Sequence, residues 1–126
     1  MKKFIIQTVK IFLDVGAHIG ETLEIALEPK YGFDRLYCFE PSKECCDIIR
    51  SKYKDQRVVV CEYGLWNKDC LMPLYNSGDL GASVFKEKHR RHDNGSKDVS
   101  FVSASNWFSQ HLNFGDEIYL KINSEG

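Results

Sequence analysis

One segment constrains this chain more than any other. It is Ile11-Phe12-Leu13-Asp14-Val15-Gly16-Ala17-His18-Ile19-Gly20, with Glu40 twenty residues beyond Gly20. An apolar run ends in an acid and two glycines, and a helical pattern begins at once. A second apolar run, Leu36-Tyr37-Cys38-Phe39, then ends in another acid. That is the layout of a βαβ unit with a nucleotide-type site outside the carboxyl ends of its strands.

Each part has a physical reading. Ile11 to Leu13 form a short apolar run of the kind buried on both faces of a parallel sheet. Gly16 and Gly20 flank the turn out of it, where the lack of a Cβ permits unusual φ and a close approach to the backbone. The following helix carries apolar residues at Ile19, Leu23, Ala26 and Leu27, with Glu21, Glu24 and Glu28 on its wet side. Pro29 and Gly32 end it. Glu40, at the end of the second strand, can accept hydrogen bonds from both hydroxyls of a ribose.

The turn differs from that of a dinucleotide site. The nicotinamide-type turn is G-x-G-x-x-G and holds a pyrophosphate on a helix N-terminus. Here the order is Asp14-x-Gly16-x-His18-x-Gly20, and Glu21 follows directly. A carboxylate at that position repels a phosphate. An acidic turn suits a cationic or zwitterionic cofactor, and S-adenosylmethionine, with its sulfonium, amino group and ribose, meets that description. Asp14 is then expected on the methionine ammonium side. A nicotinamide-dependent oxidoreductase remains an alternative that the absent middle glycine and Glu21 disfavour.

Three segments resemble the FkbM family of S-adenosylmethionine-dependent methyltransferases. Phe12 to Gly20 is similar to the family's first motif, which usually has Asn where this chain has His18. Phe39-Glu40-Pro41-Ser42 resembles its F-E-P segment. Leu120-Lys121-Ile122-Asn123-Ser124-Glu125-Gly126 resembles its L-K-I-D-V-E-G motif, with Asn123 in place of Asp, which removes a negative charge and adds amide donors. Gly81-Ala82-Ser83 and the turn Gly64-Leu65-Trp66-Asn67 match family landmarks loosely.

The resemblance implies an α/β, Rossmann-like class I methyltransferase fold: a mostly parallel sheet with helices on both faces. It implies a seven-stranded sheet whose last strands would lie beyond Gly126, so this chain is expected to be a partial domain over residues 1–126. It further implies S-adenosylmethionine held by Asp14, Gly16, Ala17, His18, Gly20, Glu40 and Pro41. Trp66 and Asn67 would wall the adenine, although a buried or loop-anchoring Trp66 is the plainer expectation. Lys121, Asn123 and Glu125 become candidates for the substrate side. The associated activity is O-methylation of a hydroxyl on a sugar or small metabolite.

Composition narrows the partners. With 17 basic and 18 acidic residues the net charge is −1, so no global field draws the chain to nucleic acid or an anionic membrane. Met1-Lys2-Lys3-Phe4-Ile5-Ile6-Gln7 starts like a signal peptide, but Gln7, Thr8 and Lys10 break the apolar stretch and no small-residue cleavage site follows. No stretch approaches transmembrane length. The five cysteines, Cys38, Cys45, Cys46, Cys61 and Cys70, contain no C-x-x-C and no zinc-type spacing. Reduced core thiols in a cytoplasmic protein are the expectation, with no metal.

Along the rest of the chain, Ser42 is a good N-cap for a helix from Lys43 to about Tyr53. Its apolar side is Cys45, Cys46, Ile49 and Tyr53. Val58-Val59-Val60-Cys61 reads as the third buried strand. Cys70 to Tyr75 and Val99 to Ser103 suit strands of a β-extension, the latter exposed and antiparallel. Asn106 to Leu112 is a short helix candidate, and Glu117 to Ile122 the fourth main strand. The charge run Lys86-Glu87-Lys88-His89-Arg90-Arg91-His92 reads as a solvated loop.

No residue declares itself the general base. His18 lies in the cofactor turn as a positioning group, and His89, His92 and His111 are candidates by type alone. A different class of function, a cofactor-binding or interaction fragment without catalysis, is supported by the short chain and Asn123. If later strands normally pair beside residues 117–122, this strand is an exposed apolar edge, and self-association through it is expected.

Overall fold

The computed structural model describes residues 8–74 and 97–123. The signal-like N-terminus, Tyr75, the Gly81-Ala82-Ser83 landmark, the charge run with His89 and His92, and Glu125 lie outside the described residues.

The first strand, β1 (Lys10–Val15), leads through the glycine turn into α1 (Glu21–Ala26). Next come β2 (Arg35–Phe39), α2 (Lys43–Lys52) and β3 (Val58–Cys61). After a second small sheet the chain returns through α3 (Ala104–His111) to β7 (Glu117–Ile122). The main sheet has four strands in the order β3-β2-β1-β7, all pairs parallel. The chain therefore winds outward from β1 to β3 and comes back on the other side of β1. The reversal between β1 and β7 is a topological switch point, where open α/β sheets bind ligands.

Strand alternation builds two cores, one on each face of the sheet. Phe12, Leu36 and Cys38 face α1 and α2 and pack with Leu23, Ala26 and Ile49. Ile11, Leu13, Tyr37 and Phe39 face the other way and pack on Trp107 of α3. Trp107 meets both Tyr37 and Phe39 edge-on and donates its indole N–H to the Tyr63 hydroxyl at 3.0 Å. Helices thus cover both faces of a parallel sheet, the expected architecture.

Ser42 caps α2 as its sequence predicts, its hydroxyl accepting from the amide of Cys45 at 3.3 Å. Ser103 caps α3 in the same way through Asn106, so that helix begins two residues earlier than the expected Asn106. The β-extension forms: β5 (Cys70–Leu74) runs antiparallel to β6 (Lys97–Ser103). The segment read as a Gly64–Asn67 turn is instead largely a strand, β4 (Gly64–Trp66), parallel to β6. Gly64 is required there because a Cβ would come within 2.3 Å of the Phe101 ring.

Candidate cofactor site

The acids of the two strand ends come first. Asp14, on the α1 face of β1, is fully buried. Its Oδ1 accepts from Lys121 Nζ at 3.1 Å, and Oδ2 has no partner. Burial raises the Asp14 carboxyl above its ordinary value, and Lys121 pulls it back in part. Lys121, read from sequence as a substrate-side candidate, is thus already engaged by Asp14 across the switch point. The side chain expected to face a ligand ammonium thus has one oxygen without a partner in the protein.

Glu40, just past β2, is buried as well. Its Oε1 accepts from the His18 amide at 2.7 Å and its Oε2 from the Ser42 amide at 3.0 Å. Burial pushes this carboxyl up, against the pull of those two N–H groups. Each carboxylate oxygen has two lone pairs, so both retain accepting capacity. The Glu40 backbone is fixed too: its amide donates to Cys61 at 3.0 Å, and its carbonyl accepts from Cys46 Sγ at 3.0 Å. Pro41, half-buried, links Glu40 to the cap of α2.

The turn between these acids is tightly specified. Gly16 and Ala17 both donate backbone N–H groups to the Phe39 carbonyl, at 2.9 and 3.1 Å. Gly16 has φ +80°, and a Cβ there would lie 2.5 Å from the Asn123 carbonyl oxygen. Gly20 has φ +92°, and a Cβ would lie 2.7 Å from the Tyr53 ring. The approach these glycines permit is therefore, in part, that of the protein itself. His18 is the one non-glycine residue with positive φ among those described, at +61°. Asn, Asp and His are the side chains that adopt this conformation most readily.

The His18 ring lies with Nδ1 3.1 Å from Glu21 Oε1, while its Nε2 is buried and without a partner. Burial pushes the Glu21 carboxyl up, but hydrogen bonds from His18 and from backbone amides outweigh it and leave it low. The site therefore holds two orphaned buried polar atoms, Asp14 Oδ2 and His18 Nε2. Such atoms are uncommon in folded proteins and fit a ligand with donors to offer.

Val15, the neighbour of Asp14, points to the opposite face. There it lines a cleft of about 400 Å³ with Leu65, Trp66, Asn67, Phe108 and Ile122. Trp66 is 46 % exposed and meets Phe101 edge-on, so it is an open wall and not a buried anchor. Asn123 is exposed at the end of β7 and donates its amide to Val15 at 2.9 Å.

No protein-family model matches this chain, and no curated protein matches it. Among solved structures it is similar to the crystal structure of methyltransferase FkbM from Methylobacillus flagellatus KT, with a TM-score of 0.57 at 16 % identity. The likeness is one of fold. The similarity covers 94 % of this chain but 26 % of the FkbM structure, so the chain spans about a quarter of it.

The sequence brought Asp14, Gly16, His18, Gly20 and Glu40 to one place, and the fold assembles them at the carboxyl ends of β1 and β2. It missed the Tyr53 ring against Gly20, the Asp14–Lys121 pair, and the cleft contributions of Val15, Phe108 and Ile122. One signal for the pair was available: Lys121 is a lone charge inside an otherwise apolar stretch, Ile118 to Ile122.

Proposed function

We propose that this chain is the S-adenosylmethionine-binding part of a methyltransferase that acts on a hydroxyl of a small metabolite or sugar. The observation that carries this reading is Glu40. It is a buried carboxylate at the end of β2, aimed by two backbone amides, beside a glycine turn in an FkbM-type fold. Such an acid accepts from vicinal ribose hydroxyls. Asp14 Oδ2 suits an ammonium, His18 Nε2 suits a further polar group of the ligand, and Trp66 with Asn67 offers a flat wall for a purine.

When bound, the cofactor supplies an electrophilic methyl group. The protein's contribution is then position and electrostatics. Glu40 supplies negative charge near a sulfonium, and Asp14, neutralised by Lys121, offers its second oxygen to an ammonium. Asn123 at the end of β7 offers amide donors and an acceptor to the methyl acceptor.

Calorimetric titration with S-adenosylmethionine and S-adenosylhomocysteine tests the reading, with NAD as comparator. Micromolar binding of both adenosyl ligands, lost in Glu40→Ala with the fold intact by circular dichroism, is the expected result. Binding of NAD in preference, or no binding by folded wild type, sinks it. A cofactor-binding fragment without catalysis is a second reading. It is favoured by one observation, Asn123, which puts an amide at the strand end where the motif it resembles has an acid. Transfer of labelled methyl to hydroxylated acceptors separates the two.

A further inference from the structure

Among the described residues, the buried side-chain polar atoms without a hydrogen-bond partner are Asp14 Oδ2 and His18 Nε2, and both lie at the turn out of β1. What each can do depends on where the protons are. Asp14, ion-paired with Lys121, presents Oδ2 as an acceptor. For His18 the answer comes from Glu21, whose Oε1 lies 3.1 Å from His18 Nδ1. Burial pushes the Glu21 carboxyl up, but hydrogen bonds from His18 and from backbone amides outweigh it and keep it ionised. An ionised carboxylate only accepts, so Nδ1 must carry a proton. A neutral imidazole has one N–H, and Nε2 is then an acceptor. Left to itself, imidazole favours the proton on Nε2, so the contact with Glu21 selects the less common form. The rest of the residue is fixed as well: its backbone has φ +61°, and its amide donates to Glu40 Oε1 at 2.7 Å. The side chain is 23 % exposed, yet Nε2 is turned away from water. An unsatisfied buried acceptor is costly, and a ligand donor recovers that cost.

We infer that Glu21 is a positioning residue: it sets the His18 tautomer so that Nε2 accepts a hydrogen bond from the ammonium of the cofactor's amino-acid end. This rests on the S-adenosylmethionine reading and narrows it. Two unfilled acceptors at one turn call for a ligand group with several donors. An ammonium has three donors and no acceptor. A carboxylate or phosphate brings only acceptors and would set its lone pairs against those of the site. A ribose hydroxyl has a single proton to give, and Glu40 takes it. The ammonium is thus shared between Asp14 Oδ2 and His18 Nε2, while Glu40 holds the ribose. Asn, the usual residue at position 18 of the motif this turn resembles, carries a carbonyl acceptor of its own. An imidazole needs a neighbour to create one, and Glu21 supplies it.

Nitrogen-15 spectra of the histidine rings read the tautomer directly. They are recorded on the labelled 126-residue chain at about pH 7.5, above the ordinary histidine value of ~6.5. His18→Asn identifies the His18 signals among the four histidines. The free chain should show His18 protonated on Nδ1, and Glu21→Ala should shift the proton toward Nε2. Saturating S-adenosylhomocysteine should move the Nε2 signal upfield, as hydrogen-bond acceptance does. 5′-Methylthioadenosine, the same nucleoside and sulfur without the amino acid, should leave it in place. By calorimetry, Glu21→Ala should weaken S-adenosylhomocysteine about tenfold, the worth of one hydrogen bond to a charged group. Glu21→Gln, whose carbonyl still accepts from Nδ1, should recover most of that. If Glu21→Gln is as weak as Glu21→Ala, Glu21 acts by charge alone and the inference is overturned. So it is by a free chain with the proton on Nε2 or on both nitrogens, or by an Nε2 signal that both ligands move alike. Absence of binding by the folded chain sinks the cofactor reading, and the inference with it, whereas binding with an unmoved Nε2 signal sinks the inference alone. The wild-type spectra decide even if a variant fails to fold.

Discussion

Lys121 reaches across the switch point of the sheet to Asp14, 107 residues earlier, and puts its ammonium 3.1 Å from Oδ1. The pair joins the two strands between which a ligand would lie. It neutralises the most deeply buried acid of the site while leaving that acid's second oxygen free. The ion pair is unequal in its surroundings: Asp14 is fully buried, whereas the Lys121 side chain is 32 % exposed.

That asymmetry sets the cost of breaking the pair. Lys121→Met leaves a buried carboxylate with no partner, a change that costs about 3–5 kcal/mol for fully buried pairs. Access of water to the lysine side should reduce this to about 2 kcal/mol. Urea unfolding at neutral pH measures it. The unpaired acid binds a proton more tightly when folded, so the deficit should shrink as pH falls and Asp14 protonates in the variant. A deficit that does not depend on pH would mean that the lysine contributes only packing.

The glycines of the turn differ in what surrounds them. Gly16→Ala meets both a positive φ and a backbone carbonyl, which cannot yield without moving β7. A loss of at least about 2 kcal/mol is expected, with a lower urea midpoint. Gly20→Ala meets the Tyr53 ring, a side chain. Adding Tyr53→Leu should recover part of the Gly20→Ala loss, whereas it should do nothing for Gly16→Ala. Equal response of both variants to Tyr53→Leu would contradict this account.

These contacts also mark where the sequence was legible. β1, β2, α2, β3 and β7 follow their expected ranges to within about two residues, because each is a strong local pattern with a cap or a breaker at its end. Asp14 and Glu40 could be placed at strand ends for the same reason. Tyr53 could be put on the inner side of α2, but not against Gly20, because the crossing of α2 over the turn is a tertiary fact. β4 read as a turn because its three residues have no periodicity and its partner strand begins more than thirty residues later. The Asp14–Lys121 pair needs the register of β1 with β7, which no local pattern supplies.

Asp55 gives a prediction about acid stability away from the site. Its carboxylate accepts from the Arg57 side chain at 2.8 and 3.0 Å and from the Arg57 amide at 2.9 Å. Arg57 also donates to the carbonyls of Leu27 and Phe33, which ties the approach to β3 to the end of α1. These bonds lower the Asp55 carboxyl to about 2 from an ordinary 3.8. A depressed acid stabilises the fold above its unfolded value, and that contribution is lost as pH falls through the folded one. Asp55→Asn should therefore be less stable than wild type at pH 7. The gap should narrow below pH 3.8 and close near pH 2, as followed by thermal unfolding.

The two site acids titrate in the opposite sense and so set the pH dependence of binding. Burial raises both Asp14 and Glu40, from ordinary values of 3.8 and 4.5. In the folded chain without ligand, each therefore loses stability as pH rises through its raised value, because the folded state holds the proton longer. A ligand that brings an ammonium and hydroxyl donors reverses the preference, since it favours the ionised carboxylates. Between pH 7 and 5 a ligand α-amino group stays protonated, because even a chain's α-amino group titrates above that range, at about 7.7–8.0. Any change in affinity over that range then belongs to the protein. Binding of S-adenosylhomocysteine should weaken as pH falls, beginning above pH 4.5, where Glu40 starts to protonate. In Glu40→Gln the remaining dependence should be shallower. Calorimetry across that range reads both slopes, and identical profiles for wild type and Glu40→Gln would remove Glu40 from the ligand's surroundings.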